Sequence, residues 1–192
     1  MAKNNINMSL WRNAAYSMRG NQPNFGQFFD HVKPEKLDYQ LRFDGNVLHD
    51  LAYLSNYIHD ARFRPVELKF KSKRLQIPLE RDCWELPIRS GASSKFAKLY
   101  TTHSTLTIFP VISYAWYINN YDLTEVNFNG KETLWIDTVY FSESWFENDN
   151  IYEFIISGGS KSWQLRLTLV IDYPMTDDPK IKLRDILVPK LR

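Results

Sequence analysis

Glu67-Leu68-Lys69, set in an alternating stretch downstream of Asp44 and Asp60, has the E-x-K form used by one large class of metal-dependent nucleases. In that chemistry carboxylates hold a Mg2+ ion, while the lysine polarises the attacking water or the phosphate. On a strand, Glu67 and Lys69 share a face, and the cations around them suit a phosphate backbone. Asp60, Glu67 and Lys69 are therefore the residues on which a nuclease reading rests. Such a site also wants a preceding strand to deliver the partner aspartate, and the sequence puts a helix there instead. A solvated strand face with a cross-strand ion pair accounts for the same residues.

His49-Asp50 and His59-Asp60 repeat a His-Asp pair ten residues apart. Ten helical residues turn the chain by about 1000°, so the two histidines differ by roughly 80° in direction. They cannot grip one ion as an i, i+4 pair does. His49 and Asp60 share a direction but stand roughly 16 Å apart along the axis. No metal site and no cofactor is expected; His31 or His103 would have to arrive from elsewhere to change that. Cys83 is the only cysteine, which rules out an intrachain disulfide and a Cys-based zinc motif. Beside Arg81 and Trp84 it reads as a small core residue. The chain carries no nucleophile elbow and no phosphate-cradling glycine loop, since Ser157-Gly158-Gly159-Ser160 is explained by a hairpin.

Charge is nearly balanced overall, at +2 from 24 bases and 22 acids, but it is distributed unevenly. Residues 62–74 carry six cations against Glu67, a balance of +5, and the stretch from Lys180 to Arg192 is basic again. Residues 122–153 carry eight acids against Lys131, a balance of −7. Aromatics gather near the acids: Tyr114, Trp116, Tyr117 and Tyr121 precede them, and Trp145 and Phe146 lie among them. Such rings anchor protein interfaces. The leading expectation is a non-enzymatic protein–protein interaction module of inhibitor, immunity or adaptor type, meeting a partner protein with a basic surface. Glu143, Glu147 and Asp149 would steer the encounter, and Trp145 and Phe146 would anchor it. The alternative is a metal-dependent nuclease or nucleic-acid-binding protein using the basic 62–74 hairpin. Tyr and Trp also stack on sugars, which admits a carbohydrate-binding module; the absence of a secretion signal and disulfides counts against it.

The elements that must position these groups are legible from periodicity. Val47, Leu51, Leu54, Ile58 and Ala61 recur at helical spacing, with Asp44 and Asn46 as capping residue types. They predict a helix over 46–62, ended by Pro65, with Tyr53 and Asn56 on its outer side. Val66, Leu68 and Phe70 then alternate with Glu67, Lys69 and Lys71, and a Ser72-Lys73 turn leads into Leu75, Ile77 and Leu79. Pro78 implies an edge or a bulge, and Pro110 breaks the β-forming run from Tyr100 to Asn119.

Asn129-Gly130 predicts a type I′ hairpin joining Thr124–Phe128 to Lys131–Phe141, the latter apolar on both faces like a central strand. Gly158-Gly159 predicts a second, pairing Phe154 with Trp163 and Tyr152 with Leu165. Short connections force antiparallel pairing. The expected fold is α+β: a large twisted antiparallel sheet of about eight strands, curling towards a barrel, with the helix packed on it. Residues 1–36 read as an N-terminal extension, with a short helix 9–19 docking on the domain or on a partner, and 37–192 as a single domain. No stretch approaches the roughly 18 apolar residues of a membrane span, and the N-terminus lacks a secretory h-region. A cytoplasmic setting without membrane contact is expected.

Overall fold

The computed structural model describes residues 35–42, 47–86, 89–90, 97–119, 121–123, 128–142, 151–159, 162–170 and 180–192. The expected extension, with its helix 9–19, therefore lies outside the described residues apart from Glu35 and Lys36. In chain order the elements are β1 (Asp38–Leu41), α1 (Val47–Ile58), β2 (Arg62–Phe63), β3 (Lys69–Lys71), β4 (Arg74–Asp82), β5 (Arg89–Ser90) and β6 (Ala97–Lys98). Then follow β7 (Tyr100–Phe109), β8 (Val111–Ile118), β9 (Tyr121–Leu123), β10 (Leu134–Trp135), β11 (Thr138–Phe141), β12 (Ile151–Gly158), β13 (Trp163–Val170), β14 (Lys180–Asp185) and β15 (Lys190–Leu191).

The strands form an eight-stranded sheet ordered β1-β14-β7-β4-β2-β10, with β15 on β7 and β3 on β4, a five-stranded sheet ordered β11-β12-β13-β8-β9, and the small β5-β6 hairpin. The protein is thus mostly antiparallel sheet with one α-helix among the described residues, and the sheet is not closed into a barrel. Nor does one continuous sheet form. The chain changes sheet at Pro110, which has no N–H to extend a ladder and separates β7 in the larger sheet from β8 in the smaller.

It changes again at Ile136-Asp137. There Ile136 N donates to Ala61 O (2.9 Å), Ile136 O accepts from Asp60 N (2.8 Å), and Asp137 N donates to Ser157 O (2.9 Å). This corrects the expected central strand over 131–141: β10 pairs with β2, and β11 pairs with β12. Ile136 and Val139 turn into the core while Trp135 stays 48% exposed, so apolar character on both faces marked a crossover between sheets.

Four further expectations are corrected. The helix stops at Ile58, short of residue 62, because Asp60 adopts a left-handed φ of 61°, a conformation that aspartate tolerates better than most residues. Pro65–Glu67 is a 3-10 turn started by Pro65, so the strand begins only at Lys69. Asn129-Gly130 closes on itself, with Lys131 N donating to Asn129 Oδ1 (2.9 Å) and Asn129 N to Glu132 Oε1 (3.2 Å), and residues 131–133 are not strand, while 124–127 of the expected first strand lie outside the described residues. The β12–β13 register pairs Phe154 with Leu167 and Tyr152 with Leu169, four residues from the expected pairing. Gly158 belongs to the ladder, not the turn: a Cβ there would stand 1.8 Å from the Trp135 carbonyl oxygen.

A single apolar core joins the layers, with Leu54 and Ile58 of α1 against Ile77 and Leu106 of the larger sheet and Phe154 and Leu165 of the smaller. Leu51 is buried and Tyr53 faces outward, as the helical stripe requires. Ser55 does a second job. Its hydroxyl accepts from Val139 N (3.4 Å) and lies 3.1 Å from Thr138 Oγ1, so the helix also covers the edge strand of the smaller sheet. Among the described residues no helix is long and apolar enough to cross a membrane.

Candidate nucleic-acid interface

Alternation along the larger sheet decides which side chains face out. Leu75, Ile77, Leu79 and Arg81 of β4, Leu106 and Ile108 of β7, and Ile181 and Leu183 of β14 are buried. Their neighbours Arg74, Gln76, Thr107, Phe109, Lys180 and Lys182 therefore occupy the opposite face. Register then brings two distant basic segments together. Lys182 lies opposite Thr107, Thr107 opposite Gln76, and Gln76 opposite Lys69. That row spans three strand spacings, about 14 Å. In the neighbouring row Lys180 lies opposite Phe109 and Lys71 opposite Arg74, whose guanidinium stands 5.9 Å from the Phe109 ring centroid.

Lys69, Lys71, Arg74, Lys180 and Lys182 thus share one end of the outer face. Among the described residues none of the five makes an ion pair, whereas nearby Arg184 is paired with Asp38 at 2.9 Å. Thr107 and Gln76 lie between them, half-buried, with Gln40 beyond Lys182 on β1 and Thr105 in the next row. Lys73 extends the basic end at the tip of the β3–β4 turn. Cations grouped on one face, with no ion pair among the described residues, raise a positive potential there.

The underside of the same sheet holds another cation, and this one is fully satisfied. Arg81 is completely buried. Its Nε donates to Ser104 Oγ (3.0 Å) and Asp185 Oδ1 (3.1 Å), its Nη1 to Glu85 Oε2 (3.0 Å) and Tyr57 O (3.4 Å), and its Nη2 to Glu85 Oε1 (2.7 Å) and Asp185 Oδ1 (3.0 Å). Asp185 Oδ2 also accepts from Leu37 N at 2.9 Å, so β4, β7, β14, the end of α1 and the approach to β1 meet at one guanidinium. Burial disfavours that charge, but the bonds and proximity of Glu85 outweigh it and lift the pKa above the ordinary arginine value. Burial pushes the neighbouring Cys83 thiol up to about 12. It stays protonated near neutrality, in keeping with a core residue and not a nucleophile.

The far end of the outer face is mixed in sign and paired. Trp135, Arg62, Glu80 and His103 form one row across β10, β2, β4 and β7. Arg62 pairs with Glu80 and stands 5.1 Å over the Trp135 ring. Burial, then the nearby Asp60 and Glu80, hold the Asp82 carboxyl above the usual aspartate range against the lowering influence of Arg192 and Arg62.

This geometry separates the residues of the nuclease reading. Asp60 belongs to the mixed end, close enough to act on Asp82. Glu67 sits in the 3-10 turn and pairs with Arg64 at 3.0 Å. Lys69 is at the basic end, opposite Gln76, and Asp82 lies six residue steps along β4 from Gln76, roughly 20 Å. Among the described residues no three His, Cys, Asp or Glu side chains are placed to hold a metal ion. His59 Nδ1 lies 2.9 Å from the Asp137 carbonyl oxygen, at the helix–sheet boundary. Of the aromatics weighed for sugar stacking, Trp116 is buried against Phe63, Phe128 and Trp163.

Glu143, Trp145, Phe146, Glu147 and Asp149, the residues expected to meet a basic protein, lie outside the described residues. What sequence reasoning missed is that both basic segments reach one surface. The signal was partial: Lys69/Lys71 and Lys180/Lys182 each recur at the two-residue spacing of a strand face, but nothing local says that β7 lies between them. No family model, no characterised protein and no solved structure matches the chain.

Proposed function

We propose that the chain is a non-enzymatic binding module whose larger sheet receives the phosphate backbone of a nucleic acid. The observation that carries this reading is the gathering of Lys69, Lys71, Arg74, Lys180 and Lys182 on one outer face with no ion pair among the described residues. Grouped like charges repel one another, and a polyanion relieves that repulsion while releasing its own counterions. The reading takes up the nucleic-acid half of the alternative drawn from 62–74 and leaves out the nuclease half, since Asp60 and Lys69 belong to opposite ends of the outer face and Glu67 sits in the 3-10 turn paired with Arg64. A cytoplasmic setting belongs to the proposal; a lone, buried thiol asks for no oxidising compartment.

The test is fluorescence anisotropy with a labelled oligonucleotide at low salt, comparing the wild-type chain with the combined variant Lys69→Gln, Lys71→Gln, Lys180→Gln and Lys182→Gln. Binding tighter than the roughly 10−4 to 10−6 M of a non-specific contact at physiological salt is expected for the wild type, and loss of most of it for the variant. Polyglutamate binding as tightly as the oligonucleotide would reassign the face to an acidic protein.

A second reading keeps the acidic segment as the docking face for a basic protein, favoured by the balance of −7 over residues 122–153. Reversing Glu143, Glu147 and Asp149 to Lys would then slow association with that protein and flatten its salt dependence.

A further inference from the structure

The exposed rings closest to the basic end sit on the other side of its edge strand. Phe70 lies between Lys69 and Lys71 in β3, so its side chain leaves the strand on the opposite face. It meets Tyr114 of β8 edge to face, with ring centroids 5.4 Å apart, although the two strands belong to different sheets. The hairpin tip arranges this contact: Val111 N donates to Lys73 O at 2.7 Å and holds the start of β8 against the turn. Phe70 is 42% exposed and Tyr114 41%. Ser72 and Lys73 are both left-handed (φ 51° and 59°), the geometry of a type I′ turn that usually takes Asn-Gly. Here the turn keeps a cation at its tip. β3 pairs with β4 along one edge, and among the described residues no strand pairs with the other.

Resting on the nucleic-acid reading above, we propose that the ligand is single-stranded. Its phosphates cross the face from Lys180 and Lys182 to Lys69, Lys71 and Arg74, where its unpaired bases fold over the free edge of β3 onto Phe70 and Tyr114. A duplex keeps its bases inside its own stack, so it offers these lysines its phosphates but offers the rings nothing. Every base has a π-face, so contacts of this kind tolerate any sequence.

The experiment uses the full chain with an oligothymidylate and a duplex of equal length in low salt. Single-strand binding should be the tighter. Phe70→Ala with Tyr114→Ala should weaken it roughly tenfold and leave duplex binding unchanged. Should that variant lose its fold in a urea melt, Phe70→Leu with Tyr114→Leu keeps apolar bulk without the rings, and the same selective loss is expected. Equal affinity for both forms in the wild type, or an unaltered single-strand affinity in a folded ring variant, would overturn the proposal. If both forms bind equally and the four-lysine variant loses both, the nucleic-acid reading stands and only the single-strand inference falls. If neither form binds, both fall.

Discussion

On the outer face of the smaller sheet, Arg166 stacks 3.9 Å from the Tyr117 ring, donates to Gln164 Oε1 at 3.0 and 2.9 Å, and approaches Glu153 to 3.8 Å. Gln164 in turn donates to Tyr140 Oη at 3.1 Å. On the outer face of the larger sheet, Lys69, Lys71, Lys180 and Lys182 make no ion pair among the described residues. Both surfaces are built from cations, amides, hydroxyls and rings; they differ in saturation. A charge whose donors are already met inside the molecule adds to stability and has little left for a partner. A group of exposed like charges contributes repulsion instead, and its use lies outside the fold.

If saturation is what separates the faces, stability and binding should rank the cations in opposite orders. The largest stability loss belongs to the most saturated cation. Replacing Arg81 with Met leaves the Asp185 and Glu85 carboxylates without their buried partner and should cost about 3–5 kcal/mol in a urea melt. A loss near that of an ordinary surface change would show that the buried network is not the anchor described above. Arg166→Ala comes next, at about 1 kcal/mol, since its guanidinium is itself partly solvated, and nucleic-acid affinity should not change. The four-lysine variant closes the series, within about 0.5 kcal/mol of wild type, although it is the one expected to lose binding. A large stability loss there would mean that these lysines are structural and would erase the distinction between the faces.

Much of the scaffold was legible because it is governed by local periodicity. The stripe through Leu51, Leu54 and Ile58, the Ser72-Lys73 turn and the break at Pro110 each follow from spacing or from a residue with special backbone chemistry. Pro78 also sits where its residue type allows: β4 pairs with β7 there, but β3 pairs only through Gln76 and β2 only at Glu80, so the second edge is open. The failures have physical causes too. In Lys131–Phe141, apolar residues on both faces fit a central strand and a crossover equally well. In β12–β13 the expected register was off by four, an even number, so each side chain was assigned to the correct face with the wrong partner. The close approach of the Trp135 carbonyl that demands Gly158 is a tertiary fact with no local signal. For the candidate surface, the facing of each basic segment was readable but their adjacency across β7 was not.

The most direct test of the account is the salt dependence of oligothymidylate binding, followed across about 50 to 200 mM. Five cations neutralising single-strand phosphates should give a slope of about −3.5 in log affinity against log salt, a loss of roughly a hundredfold over that range. With Lys69, Lys71, Lys180 and Lys182 all changed to Gln, the slope should shrink to about −0.7, the share of Arg74 alone. The same slope in both proteins, or no salt dependence in the wild type, would contradict the claim that this face is held unsatisfied for a phosphate backbone.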